Sequence, residues 1–170
     1  MKKEFKRIYI LGCSGSGKTS LAKELARRLH IQPYDLDDIF WKKKYTVKRD
    51  EKTRKVVLQK LAKKEQWIIE GVYDTWVDAA FKRATFVVWL DISPWIITYR
   101  LIKRYLRRKK ENPEEPWKDT LTLIRYVWRY QKKNQPSGFG THQTLIKKYN
   151  IHHVHIQTTA ELNLFRQRMI

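Results

Sequence analysis

Gly12-Cys13-Ser14-Gly15-Ser16-Gly17-Lys18-Thr19 constrains this chain more than any other stretch, because it meets the phosphate-binding pattern GxxxxGK[ST] at every specified position. Such a loop works only between a strand and a helix. Its glycines let the backbone curl so that consecutive N–H groups point at phosphate oxygens, and the following helix adds its positive end. Both neighbours are legible. Arg7-Ile8-Tyr9-Ile10-Leu11 has the length and β-branching of a buried strand, and Ser20 to Leu29 carries helical spacing. The expectation is a nucleoside triphosphate site. Gly12, Ser14, Gly15, Ser16, Gly17 and Ser20 surround the phosphates, Lys18 reaches the terminal ones, and the Thr19 hydroxyl completes the shell of a magnesium ion.

The 170 residues suit one domain, 1–170, with no second core. A hydrophobic content of 42% with seven tryptophans excludes a disordered chain. The longest apolar runs are far too short to cross a bilayer, so no membrane partner is expected. The basic start, Met1 to Arg7, leads straight into a strand and the phosphate loop, which argues against a signal peptide. With Cys13 the only cysteine, no intrachain disulfide forms and a reducing, cytoplasmic setting is expected. Cys13 itself reads as the occupant of a variable loop position rather than a redox switch. The formal charge of +20 calls for anionic partners. Nucleotides, nucleic acids and acidic membranes all qualify, so distribution matters more than the sum.

Strand-like and helical segments alternate from end to end, which predicts an α/β protein with a parallel sheet. Ile31 to Leu36 reads as a short second strand, and Trp41 to Asp50 as lysine-rich and aperiodic. Glu51 to Lys64 reads as a helix, Gln66 to Glu70 as a third strand closed by Gly71, and the stretch from Asp74 to Lys82 as a short helix. Thr85 to Asp91 is the most apolar segment and the expected sheet centre. Pro94 opens a helix to about Lys110, Glu111 to Pro116 breaks it, and a long helix runs from about Trp117 to Gln135. Another spans roughly Thr141 to Tyr149, His152 to Ile156 is a fifth strand, and Thr158 with Glu161 has capping-box spacing for a last helix.

In a parallel sheet, groups beyond the carboxyl ends of the strands converge, and the phosphate loop lies among them. Asp35, Glu70 and Asp91 each end a predicted strand, with Asp37 just beyond. Each acid has two readings: orienting a metal or an acceptor, or capping a helix or turn. Arg100, Arg104 and Arg108 recur at four-residue spacing with Arg107 adjacent, so like charges stack on one helical face. A phosphate ligand relieves that repulsion; a solvated or polyanion-binding face is the other reading. The proline-broken segment after this helix suits a small lid, at about 105–117. His152, His153 and His155 alternate across a strand, leaving two at most on one side, so no metal site is expected there. Trp117, Tyr126, Trp128 and Tyr130 read as core and interfacial residues rather than a base-stacking platform.

Taken together, Gly12 to Thr19, Tyr34-Asp35-Leu36-Asp37-Asp38, Trp67-Ile68-Ile69-Glu70-Gly71-Val72-Tyr73 and Leu90-Asp91-Ile92-Ser93-Pro94 leading to Arg100 and Arg104 resemble the adenylate-kinase-like P-loop group. Within it they are most similar to the branch of DNA topology modulation proteins. The resemblance implies a nucleoside-monophosphate-kinase-like three-layer sandwich, with a five-stranded parallel sheet in the order 2-3-1-4-5 and a short helical lid. It places Arg100 by the adenine and Arg104 by the phosphates, and puts Glu70 where the group has an aspartate that orders magnesium-bound water. It assigns Gln157-Thr158 to the adenine edge, and makes Asp35 and Asp37 the paired acids at the acceptor.

Where monophosphate kinases have an arginine after the strand-three Asp-Gly, this chain has Val72-Tyr73-Asp74, which weighs against a monophosphate acceptor. Tyr73, Arg125 and Arg129 are the other acceptor candidates. The expected activity is phosphoryl transfer from ATP with magnesium to a small, anionic or nucleotide-like acceptor. Lys18, Arg104 and Arg108 stabilise charge, Thr19, Glu70 and Asp35 hold the metal, and Asp37 or Asp35 orients the acceptor. The alternatives are a nucleic-acid-binding protein with a regulatory phosphate loop, and a polynucleotide end kinase.

Overall fold

A computed structural model of the protein describes residues 5–43, 46–132 and 135–169. The first half of the basic N-terminus, two residues of the 41–50 segment and two of the tail of the expected 117–135 helix lie outside them.

Five strands form one parallel sheet: β1 (Arg7–Gly12), β2 (Pro33–Asp35), β5 (Trp67–Gly71), β6 (Phe86–Leu90) and β7 (His153–Ile156). Their spatial order is β2-β5-β1-β6-β7, the expected 2-3-1-4-5 when the sheet's strands alone are counted. Strand alternation divides the core into two layers. Ile8, Ile10, Ile68, Val88 and Leu90 point to one face, whereas Tyr9, Leu11, Ile69, Val87 and Trp89 point to the other. Helices α1 (Lys18–Leu29), α5 (Pro94–Glu111), α6 (Trp117–Tyr130) and α8 (Thr159–Arg168) cover the first face. The second is covered by α2 (Leu36–Phe40), α3 (Glu51–Ala62), α4 (Asp78–Phe81) and α7 (Phe139–Tyr149). The result is a three-layer α/β sandwich whose centre is β1, buried from Ile8 to Gly12, and not the Thr85–Asp91 segment expected there, which as β6 lies beside it and is just as apolar because it too is covered on both faces.

Three segments differ from the sequence reading. Within 41–50 the structure has a two-stranded antiparallel hairpin, β3 (Trp41–Lys43) and β4 (Val47–Lys48), where periodicity had shown nothing. Strands of three and two residues are too short to display a period, and this pair is held by Arg49, whose N–H donates to Phe40 O at 2.8 Å and whose Nε donates to Ile39 O at 3.0 Å. The helix expected from Asp74 begins only at Asp78. The Asp74 carboxylate instead accepts the Ser137 N–H at 2.7 Å and its hydroxyl at 2.9 Å, which holds the chain there in a turn. The same pull, with the Tyr126 hydroxyl on Ser137 O at 3.0 Å, folds the chain back beyond α6, which ends at Tyr130.

A buried polar relay fastens these elements. The ring of His142, fully buried, has Nε2 2.7 Å from Val72 O and Nδ1 2.8 Å from the Tyr130 hydroxyl. A carbonyl only accepts, so Nε2 carries the proton, Nδ1 accepts from Tyr130, and Tyr130 in turn accepts Trp89 Nε1–H at 3.3 Å. Every member is satisfied, which is what makes a buried polar group tolerable. Burial lowers the His142 pKa from 6.5 to about 4, with the Val72 hydrogen bond opposing it.

The sign follows from linkage. The unfolded chain takes up a proton near pH 6.5 that the folded chain refuses until about pH 4, so stability falls as the pH drops across that window. Urea denaturation at a series of pH values is expected to show a loss of about 3 kcal/mol across it. In His142→Gln, which keeps an acceptor and a donor, that slope flattens.

Candidate functional site

The phosphate loop leaves β1 and enters α1 at Lys18, so Lys18 and Thr19 stand in the first turn of that helix. The loop is pressed from above by α5. A Cβ built on Gly15 would lie 2.9 Å from Ile97 Cγ2 and 3.3 Å from Leu101 Cδ2, at a φ of +82°. Only glycine satisfies both the backbone angle and the contact. Ser16 is fully buried, and its N–H donates to Cys13 O at 3.2 Å. Lys18 is itself buried, its Nζ donating to Cys13 O at 3.0 Å. Cys13 beneath it is 1% exposed, and burial pushes its thiol up to about 12, which holds it protonated.

A cleft of about 320 Å³ opens beside the loop, lined by Gly15, Gly17, Lys18, Thr19, Ser20, Arg100, Arg104, Thr159, Leu162 and Arg166. Two of the expected arginines thus reach it. Arg100 donates Nη1–H to Ser16 O at 3.1 Å, and burial together with the Arg166 guanidinium lowers its pKa. Two guanidiniums that repel each other in one cleft favour an anion between them. Arg166, which also pairs with Glu24 at 3.0 Å, was not legible in the sequence, because it comes from the far end of the chain on α8.

Gln157 does not line the cleft. Its N–H donates to Glu161 Oε2 at 2.8 Å while the Thr158 hydroxyl accepts the Glu161 N–H at 3.1 Å, the reciprocal cap that starts α8. Thr159 and Leu162 reach the cleft instead. Arg108 does not line it either, being paired with Glu115 at 3.1 Å across the 112–116 turn. Arg125 and Arg129 are exposed on α6.

On the other side of Lys18 the acids gather. Glu70, at the end of β5 and 3% exposed, accepts the Thr19 hydroxyl at 2.5 Å. Burial raises its pKa; Lys18 and the Thr19 hydrogen bond oppose that, while Asp35 and Asp37 push it further up. One carboxyl therefore feels Lys18, Asp35 and Asp37 together, as expected for groups at the carboxyl ends of adjacent strands. Asp35 is the N-cap of α2, accepting the Asp37 N–H at 2.8 Å, so the capping reading of that residue is realised. Asp37 accepts the Tyr73 hydroxyl at 2.7 Å. Burial and that carboxylate raise the Tyr73 pKa, keeping the phenol a donor. Gly71 makes this approach possible, since a Cβ there would lie 2.8 Å from Leu36 Cδ1 and 2.9 Å from Leu36 Cβ.

The acids are backed by aromatic rings: Phe40 stacks on Tyr73 with centroids 4.7 Å apart, and Trp76 lies 5.2 Å from Tyr73. The Arg54 guanidinium sits over Phe40 at 4.6 Å and over Trp76 at 5.5 Å. Its Nε is buried without a hydrogen-bond partner among the described residues. Arg54 is a further functional candidate, hidden in the sequence among the ordinary cations of α3.

Asp91 and the histidines have structural partners. Asp91 accepts His155 Nε2–H at 3.0 Å, and His155 stacks on Trp89 with centroids 4.0 Å apart, joining β6 to β7. His152 meets Phe86 edge-on at 5.3 Å, and among the described residues no three His, Cys, Asp or Glu side chains form a metal cluster.

The fold and loop define a P-loop protein with a three-layer α/β architecture. The AAA domain family AAA_18 matches residues 8–118, and the chain belongs to that family. Uncharacterized protein YqaC of Bacillus subtilis (strain 168) is 36% identical over 104 residues, 61% of this chain and 58% of that protein. The shikimate kinase of Rippkaea orientalis (strain PCC 8801 / RF-1) is 31% identical, over 56% of this chain and 58% of that protein. The chain thus spans about 58% of the length of these curated relatives. A solved shikimate kinase from Acinetobacter baumannii, in complex with shikimate, shares the fold with a TM-score of 0.57 at 19% identity, covering 97% of this chain and 90% of that one.

Filling the Gly15 position tests the packing over the loop. Gly15→Ala is expected to cost about 2 kcal/mol and to lower Tm by roughly 5 °C in a thermal melt.

Proposed function

We propose that the protein transfers the terminal phosphoryl group of ATP, with magnesium, to a small acceptor bearing a hydroxyl and an anionic or nucleotide-like part. The observation that carries this reading is the position of Glu70, hydrogen-bonded to the Thr19 hydroxyl at 2.5 Å and acted on by Lys18, Asp35 and Asp37. A phosphate cradle and a set of acids are thereby joined in one site. The names of a shikimate kinase relative and a shikimate kinase fold neighbour point the same way.

The residues fit ATP and magnesium. Thr19, Glu70 and Asp35 offer hard oxygen ligands, partly through water, which suit that ion. Lys18, Arg100, Arg104 and Arg166 make the cleft cationic, and the buried Ser16 hydroxyl has no partner among the described residues. When bound, magnesium neutralises charge on the phosphates. Lys18 and Arg104 stabilise the charge that spreads over the transferred group, and Arg100 with Thr159 and Leu162 flanks the nucleoside. Asp37, held by Tyr73, accepts the acceptor hydroxyl's proton on a carboxylate oxygen. Arg54, braced on Phe40 and Trp76, pairs with the acceptor's anionic group.

In this reading the chain 1–170 works as one domain in a cytoplasmic setting. Residues 105–117 serve as the lid that excludes water, with Arg108 and Glu115 closing it. A second reading of the same site, in keeping with the DNA topology modulation branch, makes the acceptor a polynucleotide terminus. It is favoured by the cationic hairpin beside the aromatic rings, where Lys48 lies 5.8 Å over Phe40.

Acceptor-dependent ADP release, screened over sugars, hydroxy acids, nucleosides, nucleotides and oligonucleotides, is expected to identify one stimulating class. Labelled phosphate on an oligonucleotide end decides for the second reading. With that acceptor, Lys18→Ala and Asp37→Asn should each lower kcat by about 10²–10⁴. Asp37→Asn should leave nucleotide affinity intact. If no acceptor stimulates turnover and Lys18→Ala binds ATP like the parent, the reading fails.

A further inference from the structure

Helix α5 has two apolar faces, and only one of them is used by the core. Ile97, Leu101 and Tyr105 are buried against the sheet. At 100° per residue Trp95, Tyr99, Ile102 and Leu106 form a second stripe, within about 60° of one another and centred about 130° from the buried face. These four are 73%, 64%, 37% and 55% exposed. Helix α6 extends the stripe sideways. Trp128, 40% exposed, meets Trp95 edge-on at 4.7 Å, and Trp117, 41% exposed, meets Tyr105 at 4.7 Å, so the two helices run antiparallel with their aromatic ends matched.

Cations border this surface. Lys103 and Lys110 lie along one edge of the α5 stripe and Lys109 along the other, and Arg125 and Arg129 are exposed on α6 near Trp128. A contiguous apolar edge of this kind on a protein surface marks an interaction site.

We propose that the α5–α6 edge docks on an anionic lipid surface, with Trp95, Tyr99, Ile102 and Leu106 entering the headgroup region and the flanking cations facing acidic headgroups. Charge decides between occupants. The chain carries +20, so pairing two copies along this stripe would bring two strongly basic surfaces together. Nucleic acid matches the charge but not the middle of the stripe, since Ile102 and Leu106 have neither a ring to stack nor a group to donate. A bilayer interface accommodates both, taking aliphatic groups at the acyl boundary and tryptophan and tyrosine at headgroup level, with basic side chains on anionic lipid. The stripe is about 17 Å long, lying along the surface rather than across it. Among the described residues no helix is long and apolar enough to cross a membrane.

The test is co-sedimentation of the full chain with vesicles of phosphatidylcholine alone and of phosphatidylcholine with phosphatidylserine. Binding is expected to need phosphatidylserine and to weaken as salt is raised. The double variant Trp95→Ala/Leu106→Ala, which keeps every charge, should lower partitioning about tenfold. Tyr99→Ser/Leu106→Gln, at exposed positions only, should do the same with an unchanged circular dichroism spectrum. Lys103→Gln/Lys110→Gln should lower it by about fivefold per lysine. Three results overturn the proposal: apolar variants that bind vesicles like the parent; a solution dimer that the same variants convert to monomer; or duplex DNA affinity that falls with these variants by as much as vesicle affinity.

Discussion

A carboxyl nearly excluded from water demands partners, and Glu70 is such a carboxyl. Its hydrogen bond from Thr19 ties the first turn of α1 to the end of β5, two elements separated by about fifty residues of chain, and the nearby Lys18 charge offsets its own. It stands beside the acids of the 35–37 segment, whose charges it feels. Placement of that kind needs bare backbone nearby. Gly15 lets α5 close over the loop, and Gly71 lets Leu36 seat α2 against β5, which brings Asp37 to Tyr73. A methyl group at either position would push an element away from the site.

The far side of the site rests on a different device. His142, Tyr130, Trp89 and Val72 form a fully satisfied chain of hydrogen bonds across both layers, and Asp74 clamps Ser137 beside it. The segment from Val72 to Asp74 that carries Tyr73 is therefore fixed from behind by α6 and α7. Desolvation keeps His142 neutral, so the same burial that makes the relay rigid makes it sensitive to acid. The polar network and the apolar rings of Phe40, Tyr73 and Trp76 hold one short loop from two sides.

Much of the fold was legible because its signals are local. A glycine-rich loop between an apolar strand and a periodic helix, strands ending in acids, Pro94 at a helix start and the Thr158/Glu161 cap are all read within a few residues, and each stands where it was expected. Periodicity failed where elements are too short to show it, as in the β3–β4 hairpin, or where a distant side chain set the boundary, as Asp74 does for α4 and the end of α6. The arginine spacing of α5 shows the same limit. Arg100 and Arg104 reach the cleft, while Arg108, one turn further, pairs with Glu115.

By itself, then, the amino-acid sequence determined the alternation of strands and helices, the phosphate loop and the identity of the acids at its rim, because each depends on short-range backbone preferences, whereas the sheet order was only what the family resemblance implied until the strand pairing showed it. Only the tertiary structure decided which cations share a cleft, and it added Arg166 from the last helix and Arg54 from α3. It alone separated the two apolar faces of α5, since hydrophobic spacing records that a residue is apolar and not whether anything covers it. Burial is a property of neighbours brought from elsewhere in the chain, and no local pattern carries it.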